Sequence, residues 1–186
     1  MPTVEASITI ENVVASATLN QKFDLNAIVK GNPTVEYRPE TFPGLVFRIK
    51  RPKTAILIFS TGKMVCTGAK SEKLAKRAIK KVVKELKKSG IIIIGKPEIK
   101  LVNMVASVNL SGSIELDDCA YSLGRTMYEP EQFPGLIYRM DEPKVVILLF
   151  STGKLVCTGA TKEEDVYEAV AKLHKNLKEK ELIYYE

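Results

Sequence analysis

From Val4 to Leu19 the chain alternates between β-branched or apolar residues and polar ones, a period of two that predicts a long half-buried strand. Asp24 to Val29 then reads as a short helix, with Asp24 placed to cap its N-terminus and Gly31 to stop it. Short β-prone segments follow at Thr34 to Arg38, Leu45 to Ile49, Thr54 to Phe59 and Lys63 to Gly68. Between them lie Pro39, Pro43-Gly44, Arg51-Pro52 and Thr61-Gly62, the turn chemistry of antiparallel hairpins. At Ser71 the period becomes helical. Leu74, Ala78, Ile79, Val82, Val83 and Leu86 share one side, Ser71 is set as N-cap and Gly90 ends the run.

That order of elements occurs twice. Residues 36–69 and 127–160 align without a gap at an offset of 91 positions, and 22 of the 34 pairs are identical, far beyond chance. Phe42-Pro43-Gly44-Leu45 is matched by Phe133-Pro134-Gly135-Leu136, and Phe59-Ser60-Thr61-Gly62-Lys63 by Phe150-Ser151-Thr152-Gly153-Lys154. The same offset carries Asn12, Val14, Ala15 and Ser16 onto Asn103, Val105, Ala106 and Ser107. Thr161 to Glu179 repeats the closing helix, with Thr161 as its cap and Val166, Ala169, Val170, Leu173 and Leu177 turned inward. Two copies are too few for a solenoid. The chain therefore reads as two α+β repeats, 1–91 and 92–186, forming one pseudo-twofold body.

One long and one short helix per repeat can cover only one side of a five-stranded antiparallel sheet, so the other side should be polar if it meets only water. It is not. In Lys63 to Thr67 one side carries Met64 and Cys66, but the other carries Val65 and Thr67 with Lys63; in Ala55 to Phe59 both Ile56-Ile58 and Leu57-Phe59 are apolar. An uncovered apolar surface edged by Arg48, Lys53 and Lys63 has the character of a binding site. The other account is a sheet covered by further elements or by a second copy of the chain. Charge adds to the first view: the net +6 divides into +10 over residues 1–91, with 17 Lys/Arg and 7 Asp/Glu, and −4 over residues 92–186, with 11 and 15. Such a division suits phosphate at one end and a basic partner at the other.

Duplex DNA entered from its minor groove fits a broad apolar sheet with a few amide donors. There A·T and T·A pairs show only the N3 and O2 acceptors, whereas G·C adds an amino donor. Asn12 and Asn103 can donate to those acceptors, and Val14, Val65, Val105 and Val156 offer nothing to a guanine amino group. The rim cations would hold phosphates without reading sequence. Asn is a poor strand former, so a bulge or turn is the alternative account of both asparagines. For the phenylalanines the alternative is burial at strand ends.

The residues Glu129 to Met140, the paired segments Ser60 to Ala69 and Ser151 to Ala160, Asn12-Val13-Val14 and Asn103-Met104-Val105 together resemble the TATA-binding protein family, in its archaeal form with the saddle core, over almost the whole chain. The resemblance implies a single curved antiparallel β-sheet saddle with helices on the convex side. It also implies a general transcription initiation factor that binds the TATA box in the minor groove. Its base-contacting positions fall on Asn12, Val14, Leu57, Val65 and Thr67 and on their mates Asn103, Val105, Leu148, Val156 and Thr158. Phe42 and Phe59 would wedge open one end of the site and Phe133 and Phe150 the other, bending the DNA. Phosphate contacts fall on Arg48, Lys53, Lys63, Arg139, Lys144 and Lys154. The second stirrup, here Glu129, Glu131 and Gln132, would dock transcription factor B and through it RNA polymerase. The expected partners are thus promoter DNA and that factor, with the chain a monomer on DNA and a homodimer as the alternative when free.

Other classes fare worse. The chain's one histidine, His174, lies in the closing helix apart from any Cys or Ser motif, and Asp117-Asp118 lacks a partner base, so no enzyme is expected. Gly62-Lys63 lacks the earlier glycine of a phosphate loop, and no cofactor or metal is implied. Three cysteines without a C-x-x-C pair point to a reducing compartment, with Cys66 and Cys157 as small buried hydrophobes opposite the proposed DNA face. Apolar runs such as Ile91 to Ile94 fall far short of the ~18 residues that span a bilayer. With no secretory pattern in Met1 to Glu11, the expected location is cytoplasmic, at the nucleoid in a prokaryote. Lys70 to Lys88 reads as a solvated helix face that also suits DNA flanks or a polymerase-linked factor. The runner-up function is a homodimeric interaction scaffold using the apolar sheet face.

Overall fold

The computed structural model describes residues 6–186, so Val4 and Glu5 of the first expected strand lie outside the described residues. The chain divides into two compact units: residues 12–102, and residues 103–186 together with the segment ending at Glu11.

In the first unit, β1 (Ser7–Thr18) contributes its residues from Asn12 onward and is followed by α1 (Leu25–Gly31). Then come β2 (Leu45–Ile49), β3 (Thr54–Ile58), β4 (Lys63–Ala69) and α2 (Glu72–Lys88). The strands pair antiparallel in the order β2-β3-β4-β1, with Leu57 opposite both Val46 and Val65 and Ser16 opposite Val65. Burial alternates along each strand, except at Thr67-Gly68 in β4, where two successive residues are left uncovered. Leu45, Phe47, Ile56, Ile58, Met64 and Cys66 face α2, where Ala75, Ala78, Ile79, Val82 and Leu86 are fully enclosed. Each large aliphatic side chain so enclosed contributes roughly 1.5–3 kcal/mol, and this layer holds the sheet.

Local signals explain the helix ends. Asp24 accepts from the Ala27 N–H at 3.2 Å, and Ser71 accepts from the Leu74 N–H at 3.1 Å, so both caps stand where the sequence put them. Beyond α2, Gly90 and Ile91 return N–H groups to Lys87 and Leu86, closing the helix. Gly31 is not the stop of α1. It is the last helical residue, and Asn32 is the C-cap, its amide donating to the Ile28 carbonyl at 3.0 Å and to Ser89 Oγ at 3.1 Å. Glycine at position 31 serves packing instead, since a Cβ there would lie 2.8 Å from the Ser89 Cβ. Thr34 to Arg38 is not a strand either: only a Glu36–Val46 bridge forms. The Asn32–Val35 and Arg38–Phe42 turns take the neighbouring backbone groups.

The second unit repeats the plan with β5 (Glu98–Asn109, from Asn103 onward), β6 (Ser113–Ile114), α3 (Leu116–Ser122), β7 (Thr126–Met127), β8 (Leu136–Met140), β9 (Val145–Leu149), β10 (Lys154–Ala160), α4 (Glu163–Glu179) and β11 (Ile183–Tyr184). Its order is β5-β10-β9-β8-β7, with β11 paired to β6. Thr161 does not cap α4. Lys162 holds that position and makes no side-chain cap bond, because the residue matching Ser71 at the 91-residue offset is a lysine. Val166, Ala169, Val170, Leu173 and Leu177 are buried as expected. In both units the helices lie on one face of the strands, as the sequence anticipates.

The position matching Val83 is His174, which is 8% exposed, with Nε2 2.5 Å from the Tyr185 hydroxyl. Burial, helped by Lys178, holds its imidazole below the usual value of 6.5. The unfolded chain therefore takes up a proton that the folded chain resists, and stability falls as pH drops below about 6.5, levelling off at the depressed folded value. Thermal unfolding followed against pH should show this slope in the native chain and lose it in His174→Gln; an equal slope in both would refute the assignment.

Candidate nucleic-acid interface

The strand faces opposite the helices carry the residues that the sequence nominates as base contacts. In the first unit Asn12, Val14, Leu57, Val65 and Thr67 are half-buried, and every one alternates with a fully buried neighbour or lies in register with such a series. Their mates Asn103, Val105, Leu148, Val156 and Thr158 repeat the pattern in the second unit, with Val156 opposite Leu148 and Ser107. Among the described residues of each unit, no helix covers this face. The apolar surface anticipated from the sequence is therefore open, and the same parity adds Ser16, Val46 and Ala55, with Ser107, Ile137 and Val146, which sequence reasoning missed. Alternation outward from Leu57 and Leu148 was the signal that could have found them.

A bulge does accompany each asparagine, on the partner strand and not on its own. Register shifts beside Gly68 and Gly159 place a bulge in β4 and in β10, next to Asn12 and Asn103. The Gly68 N–H donates to Asn12 Oδ1 at 2.7 Å, and the Gly159 N–H donates to Asn103 Oδ1 at 2.7 Å. Each amide NH2 then points at a threonine hydroxyl, Thr67 Oγ1 at 3.5 Å and Thr158 Oγ1 at 3.3 Å. The bulge thus fixes which end of the carboxamide is which, presenting a donor and not an acceptor on the open face. The first of these threonine contacts is at the outer limit of a hydrogen bond, so the NH2 retains capacity to donate elsewhere.

Phe42 and Phe59 meet edge to face with ring centroids 5.9 Å apart, and Phe133 and Phe150 repeat this at 5.9 Å. Phe42 and Phe133 are 40% and 39% exposed, so these rings are not enclosed core. Glycine in the Pro-Gly turns makes room for them: a Cβ on Gly44 would lie 2.7 Å from the Phe42 ring and 2.9 Å from the Phe59 ring, and one on Gly135 would meet Phe133 and Phe150 at 2.8 and 2.9 Å.

All six rim cations are exposed. Arg48 and Lys53 border a hollow of about 620 Å³ with Ala55, Thr67 and Gly68, and Arg139 and Lys144 border one of about 240 Å³ with Val146 and Gly159. Lys154 edges a third of about 700 Å³ with Ser107, Phe150 and Val156. Arg48 reaches Glu36 at 3.7 Å, but both groups are more than half exposed, and such a pair contributes little. The matching position in the second unit is Met127, so Arg139 has no counterpart of that pair. Glu129, Glu131 and Gln132 form an exposed turn in which Gln132 and Phe133 donate N–H groups to the Glu129 carbonyl.

No catalytic set is assembled by these residues. Burial pushes the thiols of Cys66, Cys119 and Cys157 up to about 11, which keeps them protonated and unreactive. Cys66 and Cys157 lie on the helix-covered side, opposite the open face. Among the described residues no helix is long and apolar enough to cross a membrane.

The geometry defines a class: a duplicated antiparallel sheet protein whose open faces combine methyl groups, oriented amide donors and flanking cations. Known proteins sharpen it. A family model described as "Transcription factor TFIID (or TATA-binding protein, TBP)" matches residues 7–89 and again 98–180. The chain is 56% identical over 169 residues to the TATA-box-binding protein of Pyrodictium occultum, covering 91% of this chain and 85% of that one. It is 53% identical over 175 residues to that of Sulfolobus acidocaldarius, covering 94% and 89%. Among solved structures, Methanococcus jannaschii TBP superposes with a TM-score of 0.84 at 51% identity, over 93% of this chain and 99% of that one. The chain belongs to the TATA-binding protein family.

Proposed function

We propose that this protein is a general transcription initiation factor, not an enzyme, that binds A·T-rich promoter DNA through the minor groove. The observation that carries the reading is the pair of asparagine amides held donor-outward by the Gly68 and Gly159 N–H groups. Those donors meet the N3 and O2 acceptors of A·T pairs, while the surrounding Val14, Leu57, Val65, Val105, Leu148 and Val156 leave a guanine amino group unsatisfied. Thr67 and Thr158 add hydroxyls beside the amides. The repeats 1–91 and 92–186 each supply one such face. Phe42 with Phe59, and Phe133 with Phe150, enter base steps at the two ends of the site and bend the duplex. Arg48, Lys53, Lys63, Arg139, Lys144 and Lys154 hold the backbone. The exposed acidic turn at Glu129, Glu131 and Gln132 receives transcription factor B, which brings RNA polymerase. The chain acts as a monomer on DNA, in the cytoplasm at the nucleoid.

Competition between an A·T-rich TATA duplex and a G·C-rich duplex of equal length tests this. A preference of at least about a hundredfold is expected, since each mismatched pair costs roughly 1–3 kcal/mol. With six phosphate-holding cations, log affinity should fall against log salt with a slope of about −5. Equal affinity for both duplexes would sink the reading, and a dimer in sedimentation that ignores A·T DNA would favour the scaffold instead. Phe133→Ala should reduce energy transfer between end labels on the bound duplex; an unaltered bend would remove its wedge role.

A further inference from the structure

The outward face of α2 differs from that of α4, although the two helices do the same packing work. Their buried positions correspond one to one: Ala75, Ala78, Ile79, Val82 and Leu86 match Val166, Ala169, Val170, Leu173 and Leu177. Outward, α2 presents Lys73, Arg77, Lys80, Lys84 and Lys87, where α4 has Glu164, Glu168, Ala171, Lys175 and Lys178. Packing therefore does not require the cationic row, and like charges repeated three and four residues apart work against helix stability. All five are exposed, and none is in an ion pair among the described residues; the pairs on this helix use Lys76 and Lys88, while Lys81 donates to the Arg51 carbonyl.

The row also points away from the open face of its own unit, because α2 packs on the opposite side of β2, β3 and β4. A duplex lying against Val65 is out of its reach. We propose that the outer face of α2 is a second nucleic-acid site, independent of sequence, which holds the backbone of a duplex segment other than the one on the open face. The chemistry favours nucleic acid over an acidic protein. Large apolar side chains are absent from the exposed part of α2, so a protein partner would find none of the anchors that dominate protein interfaces. A phosphate backbone needs only cations. The row from Lys73 to Lys87 extends roughly 21 Å, over which a duplex offers one charge per ~1.7 Å of axis.

The test uses the full chain and a short duplex of mixed sequence without A·T runs, at about 50 mM salt. The variant K73Q/R77Q/K80Q/K84Q/K87Q removes the charge and keeps good helix formers. It should lose at least tenfold in affinity for the mixed duplex, with a salt slope shallower by about three to four. Its affinity for a short TATA duplex should stay within about threefold. The open-face variant Val65→Glu/Val156→Glu should do the reverse, keeping mixed-duplex binding within about threefold of native. Should the fivefold variant unfold, K80Q/K84Q gives the same readings at about half the size. Unchanged mixed-duplex binding in the glutamine variant overturns the proposal, as does its disappearance in the open-face variant alone. Preferential capture of polyglutamate, lost in the glutamine variant, would assign the row to an acidic protein and overturn it as well.

Discussion

Val65→Glu combined with Val156→Glu should abolish binding to a TATA duplex, by at least about a hundredfold, while the protein unfolds within a few degrees of the native temperature. The expectation follows from the register. Val65 lies opposite Leu57 and Ser16, and Val156 opposite Leu148 and Ser107, at the middle strands of the open faces. A carboxylate at either point would meet the acceptor edges of A·T pairs and the field of two phosphate strands, which costs several kcal/mol in an interface that excludes water. Both side chains stand half-buried on the side opposite the helices, so the fold loses less than it would from a core substitution. Val→Thr at both sites is the milder control and should weaken binding far less. Fluorescence anisotropy for affinity and thermal unfolding for integrity would decide the matter; native affinity in the double glutamate variant would move the DNA off this face.

The largest loss of stability should come from Gly153→Ala, with Gly62→Ala close behind. Both glycines sit in hairpin turns at positive φ, +90° and +97°, where a side chain is strained in itself. More decisive is the approach of a second backbone. An added Cβ would lie 2.0 Å from the Gly112 carbonyl oxygen at position 153, and 2.1 Å from that of Gln21 at position 62. The contacts exist because Leu110 and Leu19 donate N–H groups to the Gly153 and Gly62 carbonyls at 2.9 and 3.0 Å, tying each hairpin to the end of the long strand. Relief requires breaking that tie. A loss of at least about 3 kcal/mol is expected, or roughly 6–12 °C in a chain of this size. Gly95→Ala is the internal comparison: φ is +77° but nothing lies within 4 Å of the added Cβ, so only the conformational cost of about 1 kcal/mol remains. Similar losses at 95 and 153 would mean that the backbone approach is unimportant.

What the sequence revealed and what it hid have physical causes. Alternation at Met64, Val65, Cys66 and Thr67 was enough to separate a covered face from an open one, because strand parity is rigid once a strand exists. Helix spacing and Ser71 placed α2 to within a residue, for the capping bond is local. The expected strand at Thr34 to Arg38 failed because a segment at the edge of a sheet gains pairing on one side only, and turns at Asn32 and Arg38 took its backbone groups. Thr161 misled because a threonine near a helix start resembles a cap, while the frame of the duplication put Lys162 there. Hardest to foresee was where the bulge would fall: the poor strand propensity of Asn12 pointed to one in β1 itself, but it lies in β4, whose Gly68 N–H orients the asparagine. That placement depends on which residue of β1 faces Gly68, a pairing 56 positions distant that no local pattern records.

That tie has a thermal consequence. An exposed asparagine rotates and flips freely, and a ligand that needs one orientation must still both motions, at an entropic penalty that grows in proportion to temperature. Here the backbone has stilled them during folding, before any duplex arrives. If the two amides read base edges as proposed, their selectivity should therefore erode slowly on heating, for as long as the bulged strand itself stays intact.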